Sequence, residues 1–270
     1  MNSFSIYSVT VYKHRYLIAQ MIRREISRRY QGSALGLAWS FLYPLLMLAV
    51  YTFVFSVVFK ARWGGGEVTE SRVDFAIILF AGLIVFNLFA EIVNNAPSLI
   101  LGNVNYVKKV IFPLEILPLV SAGAVFFNSL ISLLVLMVAQ LLFKGRVPLT
   151  ALYFPLVVLP LLMLGLGISW FLSALTVYIR DIAQITSIFT SILMFVSAVF
   201  FPVTSLPEQY QTIMFFNPVA VVVSESRKVL VFGETPNWAM LGVLLLFGAL
   251  VASAGYWWFQ KTRKGFADVL

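Results

Sequence analysis

Apolar residues arrive in six long runs along the chain: about Gly36 to Phe59, Phe75 to Ala96, Leu114 to Phe143, Ala151 to Ile179, Ile182 to Val203 and Trp238 to Phe259. A helix rises about 1.5 Å per residue, so some 20 apolar residues cross roughly 30 Å of hydrocarbon. The pattern therefore predicts an all-α, polytopic membrane protein with six transmembrane helices. The third and fourth runs exceed the minimum and are expected to tilt or to extend past the hydrocarbon. Pro155 and Pro160 are expected to bend the fourth, where neighbouring helices re-satisfy the freed carbonyls.

Two of the intervening segments have their own character. Lys60 to Asp74 mixes acidic and basic residues around Gly64, Gly65 and Gly66, the composition of a flexible polar loop. Ser205 to Glu234 combines apolar stretches too short to span with Pro207, Pro218, Glu225, Arg227 and Lys228. Such stretches predict two short re-entrant helices dipping from the outer face before the last span. Of the 19 Lys and Arg, 12 fall in the N-terminal tail, the segment around Lys108 and Lys109, the turn at Arg180 and the C-terminal tail. Cytoplasmic segments hold the basic excess, so both termini are expected inside.

Composition agrees with a membrane chain: 61% of the 270 residues are hydrophobic and 11% charged, against roughly a quarter charged in soluble domains. The net charge of +8 raises nucleic acid as a partner, but the basic residues lie between the runs and at the ends, which suits topology instead. There is no cysteine and His14 is the sole histidine, so disulfides and a Cys/His metal cluster within one chain are excluded. The first 33 residues lack the basic region, apolar core and cleavage site of a secretory signal, and are expected to stay on the mature protein. No internal duplication or low-complexity tract is visible. The divisions are a cytoplasmic segment over 1–35, a transmembrane domain over 36–260 that includes the region 205–234, and a cytoplasmic tail over 261–270.

The candidate functional residues fall in three groups. Between Tyr12 and Tyr30, apolar positions recur at helical spacing among Arg23, Arg24, Arg28 and Arg29. The segment reads as an amphipathic helix in the interface, and equally as a plain basic anchor. In the first run Trp39, Tyr43, Met47, Tyr51, Phe55 and Phe59 repeat every fourth residue, a ridge on one side of a helix. The ridge is either the wall of a passage, where rings pack on the apolar faces of sugars, or ordinary helix packing and anchoring. Charges within the runs are few, and Glu91, Arg180 and Asp181 read as polar contacts or a solvated turn.

Several chemistries are missing. The chain has no G-x-x-x-x-G-K-[ST] phosphate loop, so it is not itself a P-loop ATPase, and no H-E-x-x-H or G-x-S-x-G motif. Ion-coupled transport usually leaves mid-membrane acidic residues or a repeated topology, and neither is evident.

The stretch RREISRRYQGSALGLAWSFLYPLL resembles the opening of type 2 ABC exporter permeases, particularly those for O-antigen, capsule and teichoic acid polysaccharides. GNVNYVKKVIFPLEILPL, YIRDI and FFPVTSLPEQYQTIMFFNPVAVVVSESRKVLVFG extend the likeness over nearly the whole chain. The resemblance implies a non-enzymatic half-transporter of the bacterial inner membrane that homodimerises and binds two copies of a cytoplasmic ATPase. ATP and Mg would be bound by that partner, with no cofactor in this chain. The cargo would be a lipid-linked polysaccharide. On this likeness Arg23, Arg24, Arg28, Arg29, Asn105, Tyr106, Lys108 and Lys109 would contact the ATPase. Pro207, Tyr210, Pro218, Glu225 and Arg227 would belong to an outer gate. Trp39, Tyr43, Tyr51, Phe55 and Phe59 would guide sugar, with the first and fifth spans lining the path between protomers. The competing readings are an ion-coupled secondary transporter, a lipid or drug exporter permease, a membrane enzyme and a scaffold.

Overall fold

The computed structural model describes residues 12–33, 35–54, 72–108 and 112–270, and these contain helices and no strand. The helices are α1 (Arg15–Tyr30), α2 (Trp39–Tyr51), α3 (Arg72–Asn95), α4 (Ser98–Leu101), α5 (Val104–Lys108) and α6 (Leu117–Lys144). They continue with α7 (Phe154–Tyr178), α8 (Ile182–Val196), α9 (Glu208–Phe215), α10 (Pro218–Arg227), α11 (Trp238–Thr262) and α12 (Phe266–Val269). Phe55, Phe59, Lys109 and most of the glycine-rich loop lie outside the described residues.

Among the described residues, four segments are long and apolar enough to cross a membrane: Val73–Asn95, Leu114–Lys144, Leu149–Tyr178 and Trp238–Val269. They correspond to the second, third, fourth and sixth expected spans. The first and fifth are shorter, Trp39–Val54 and Ile182–Val196. The fifth run was expected to stay helical to Val203, but α8 ends at Val196 after 15 residues. The chain turns there because three backbone carbonyls find partners elsewhere: Val196 O accepts from Asn217 Nδ2, and Ala198 O and Val199 O accept from Arg227. Apolar composition could not reveal that competition.

α3 is the central element. It packs against α6, α7, α8 and α10, and from Phe75 to Phe86 every residue is buried. A helix apolar on all sides belongs inside a bundle. The most extensive helix pair is α7 with α11, made possible by glycines: a Cβ on Gly255 would fall 2.1 Å from the carbonyl oxygen of Gly167. Small residues let helix backbones approach closely where lipid gives no hydrophobic incentive to associate. Pro155 lies in the first turn of α7, where no intrahelical bond is lost, so Pro160 alone stands inside that helix.

α1 and the C-terminal turn dock on this bundle. α1 lies against α6, with Met21 in the cluster around Trp170 and Tyr256. In the C-terminal turn Phe266 is fully buried and stands edge-on to Phe259, ring centroids 5.6 Å apart.

Candidate transport site

α2, α3 and α6 do not close on one another. They leave a cavity of about 580 Å³, and each helix contributes a stripe at steps of three and four residues, one face of a helix. From α2 come Trp39, Ser40, Tyr43, Pro44, Met47 and Tyr51. α3 adds Phe80, Ile84, Asn87, Glu91 and Asn94. The α6 stripe is Val125, Asn128, Ser129 and Ser132. Phe80 and Asn94 are 14 residues apart, so the wall runs about 21 Å at 1.5 Å per residue.

The described members of the aromatic ridge therefore share one wall. Trp39 Nε1 donates to Ser33 Oγ at 2.9 Å, fixing the ring at one end. Tyr43 is 60% exposed, so part of its ring looks out of the cavity, while Tyr51 is half-buried.

Polarity is graded along α3. Glu91 forms an ion pair with Arg29 of α1 at one end of the cavity. A second cavity of about 250 Å³ shares Arg29, Glu91, Val125 and Asn128 with the first, so the pair stands at their junction. Asn94 Oδ1 accepts from Thr190 of α8 at 3.0 Å. Asn87 is exposed in mid-helix between buried apolar neighbours. Asn87 and Asn128 are each an amide inside an apolar run, a signal that the sequence itself carries.

The basic candidates of α1 divide. Arg29 reaches Glu91, Arg28 pairs with Glu25 at 2.9 Å, and Arg23 and Arg24 are exposed. Nearby, Tyr106 stacks on Phe112 with centroids 4.4 Å apart, Asn105 is exposed, and Lys108 Nζ donates to the backbone oxygen of Leu270. Arg180 and Asp181 form an exposed turn between α7 and α8.

The segment before the last long helix forms two short helices, α9 and α10. Asn217 caps α10, its side chain accepting from Val219 N at 3.0 Å and Ala220 N at 3.3 Å, with Pro218 in the first turn. This is the standard way to satisfy first-turn amides. Glu225 accepts from Lys228 Nζ and from Asn237 N, both at 2.8 Å. Arg227 is 4% exposed and donates to Ile78 O at 3.2 Å, Ala198 O at 2.8 Å and Val199 O. Gly82 makes room for it: a Cβ there would fall 2.5 Å from Arg227 Nη2. Of the expected gate residues, Glu225 and Arg227 are buried and Pro218 opens α10 part-exposed, while Pro207 precedes α9 and Tyr210 is half exposed. Asn217 and Ala198 were not anticipated.

Residues 16–231 match the family model for ABC-2 type transporters. The chain belongs to that family. Among similar ABC-2 proteins, the O-antigen export system permease protein RfbA of Myxococcus xanthus is 25% identical over 260 residues, covering 96% of each chain. A protein of the same name from Klebsiella pneumoniae is 23% identical over 255 residues, covering 94% of this chain and 95% of the relative. The polysialic acid transport protein KpsM of Escherichia coli is 24% identical over 259 residues, covering 91% and 90%. As an ABC-2 family member the chain is a multi-pass membrane protein and a transporter subunit. The ridge cavity and the Arg227 block both lie within or across the matched residues.

Proposed function

We propose that this chain is the membrane subunit of an ABC exporter that carries a lipid-linked, O-antigen-like polysaccharide across the bacterial inner membrane. The observation that carries the reading is its similarity, over nine-tenths or more of both chains, to permeases named for O-antigen and polysialic acid export. The working unit is a homodimer with two copies of a cytoplasmic ATPase subunit that binds ATP and Mg. Each protomer crosses the membrane six times with both termini in the cytoplasm. α2 and α8 are the short crossings, met by local thinning of the bilayer and by the turn after Val196. α9 and α10 re-enter from the outer face.

In this reading α1, Asn105, Tyr106, Lys108 and Lys109 receive the motion of the ATPase. The Arg29–Glu91 pair joins α1 to α3, so a displacement of α1 reaches the cavity wall. The polymer is far longer than the bilayer is thick, so a continuous passage serves better than an enclosed pocket. The rings of Trp39, Tyr43 and Tyr51 offer apolar platforms on which sugars slide, and the same role is assigned to Phe55 and Phe59 from their spacing in the sequence. Pro207, Tyr210, Pro218, Glu225 and Arg227 belong to the outer gate.

The test is purification from native membranes in mild detergent, followed by reconstitution. A stoichiometric partner with ATP hydrolysis, and glycan delivery that needs ATP, are the expected result. A partnerless preparation whose transport follows an ion gradient would overturn the reading.

A further inference from the structure

We infer that the outer gate has one moving part: residues 203–216, which carry α9, form a flap that pivots at Pro202 and Asn217, while α10 and the turn after it are a fixed post. This rests on the reading of residues 205–234 as an outer gate. It names which of the two short helices responds when the ATPase binds nucleotide.

The post is pinned from several elements. All of α10 except Pro218 and Ser224 is buried. Asn217 opens it, with Nδ2 donating to Val196 O at 3.2 Å and to Ser197 Oγ at 3.1 Å. Arg227 closes it, joined to Ile78 of α3 and to Ala198 and Val199 beyond α8. The chain then widens into a π turn over Lys228–Phe232, a geometry that is rare and frequent at functional sites. Carbonyls at the end of a helical stretch have no partner within it. Here Val229 O accepts from Thr150 Oγ1 at 2.7 Å, and Leu230 O accepts from Gln140 Nε2 of α6 at 2.8 Å. Gln140 is 2% exposed, so loss of that bond would leave a buried amide and a buried carbonyl unmet.

The flap is built differently. Neither α9 nor the turn Val203–Ser205 has a buried residue, and Ile213 and Phe216 are 59% and 85% exposed. α9 packs against that turn and against α10. Its side-chain bonds are internal to the flap: Gln211 Nε2 donates to Leu206 O at 2.7 Å and Thr212 Oγ1 to Glu208 O at 3.5 Å. The backbone is extended at Pro202, with ψ 144°, and at Asn217, with ψ 105°, so a joint stands at each end. Hinges of this kind absorb a rigid swing in a few residues between elements. Moving α10 would break the bonds of Asn217, Arg227, Gln140 and Thr150 and open a buried face. Moving 203–216 breaks no side-chain hydrogen bond to the rest of the bundle, among the described residues. Elements that move are drawn from the parts of a fold with few buried contacts.

Hydrogen–deuterium exchange tests this on the full chain reconstituted with its ATPase, with and without a non-hydrolysable ATP analogue. Amides over 203–216 are expected to change exchange rate by about tenfold or more, and those over 218–232 by less than about twofold. Gln140→Leu removes one pin, so exchange over 218–232 should rise in that variant even without nucleotide. Thr150→Val replaces it if Gln140→Leu fails to assemble. An equal or larger nucleotide response over 218–232, no response over 203–216, or a post unchanged by the loss of its pin overturns the inference. ATP-driven glycan export by the same preparation separates the two ideas. Export alongside a moving α10 removes the fixed post and leaves the exporter reading standing, whereas a preparation that transports without ATP removes the exporter reading itself.

Discussion

Arg227 Nη1 donates to the carbonyl oxygen of Ala198 at 2.8 Å, and Ala198 is held at a φ of 52°. For an L residue the left-handed conformation costs roughly 1–2 kcal/mol. A hydrogen bond from a charged donor contributes about 1.5–3 kcal/mol, enough to hold the peptide turned. The strained turn after α8 and the buried guanidinium on α10 are thus one device. It fastens the end of a membrane helix to the short helices that precede α11.

Replacing Arg227 by Met is expected to leave the carbonyls of Ala198 and Val199, which lie outside any helix, without their donor, at roughly 1–3 kcal/mol for each buried group left unmet. The thermal midpoint of the purified protein should fall by several degrees, which fluorescence-detected size exclusion after heating would measure. Gly82→Ala pushes a methyl into the same guanidinium and should also destabilise. In the Arg227→Met background that methyl meets no fork, so the two effects should be clearly less than additive.

Ala198→Gly is expected to stabilise by up to about 1 kcal/mol, because glycine reaches positive φ without the Cβ penalty. Ala198→Val should do the opposite, since a β-branched residue is poorly tolerated there. Equal midpoints for both variants in the same heating assay would show that the turn is unstrained.

Gly255→Ala and Gly242→Ala should behave quite differently. A Cβ on Gly255 meets the Gly167 backbone, whereas one on Gly242 meets nothing within 4 Å. The first is expected to abolish monodisperse protein on size exclusion, because backbone cannot step aside as a side chain can. The second should leave assembly unchanged, and the higher helix propensity of alanine favours it slightly.

The long elements were legible because their apolar periodicity is uninterrupted: α3, α6, α7 and α11 fall where the runs predict them. The end of α8 is not legible in this way, since Val196 to Val203 is apolar enough to continue and only a distant arginine and asparagine divert it. Pro155 was read as a bend because its place in the first turn depends on where the preceding turn starts. In the site, the ridge of Trp39, Tyr43 and Tyr51 was visible at its spacing. Asn87 and Asn128 were not singled out, because facing amides from two helices become a pair only when the helices are placed.

Glu115 Oε2 meets Arg263 Nη1 at 2.8 Å, and its backbone oxygen accepts from Trp170 Nε1 at 2.9 Å. The C-terminal segment is thereby held against the stretch that follows α5. Arg263 is about 41% exposed, so the pair is worth less than about 1 kcal/mol. Arg263→Glu should nonetheless lower the thermal midpoint by placing two carboxylates together. The exchange Glu115→Arg with Arg263→Glu should restore it, and a double variant as poor as the single one would assign the contact to packing alone.

Tyr43→Ala with Tyr51→Ala tests the wall directly. Each aromatic contact with a ligand ring contributes about 0.5–1.5 kcal/mol beyond area, so losing two should slow export by roughly fivefold to a hundredfold if sugars slide on them. Tyr43 is more than half exposed, so its truncation should leave assembly nearly unchanged, whereas half-buried Tyr51 packs against the core and its truncation should lower the midpoint while the protein stays monodisperse. Phe41 is the control, exposed on α2 but absent from the cavity lining. Phe41→Ala with normal export, beside the double tyrosine variant with intact assembly and weak export, places the function on the cavity face of the helix. Unchanged export in the double variant would return the ridge to simple packing.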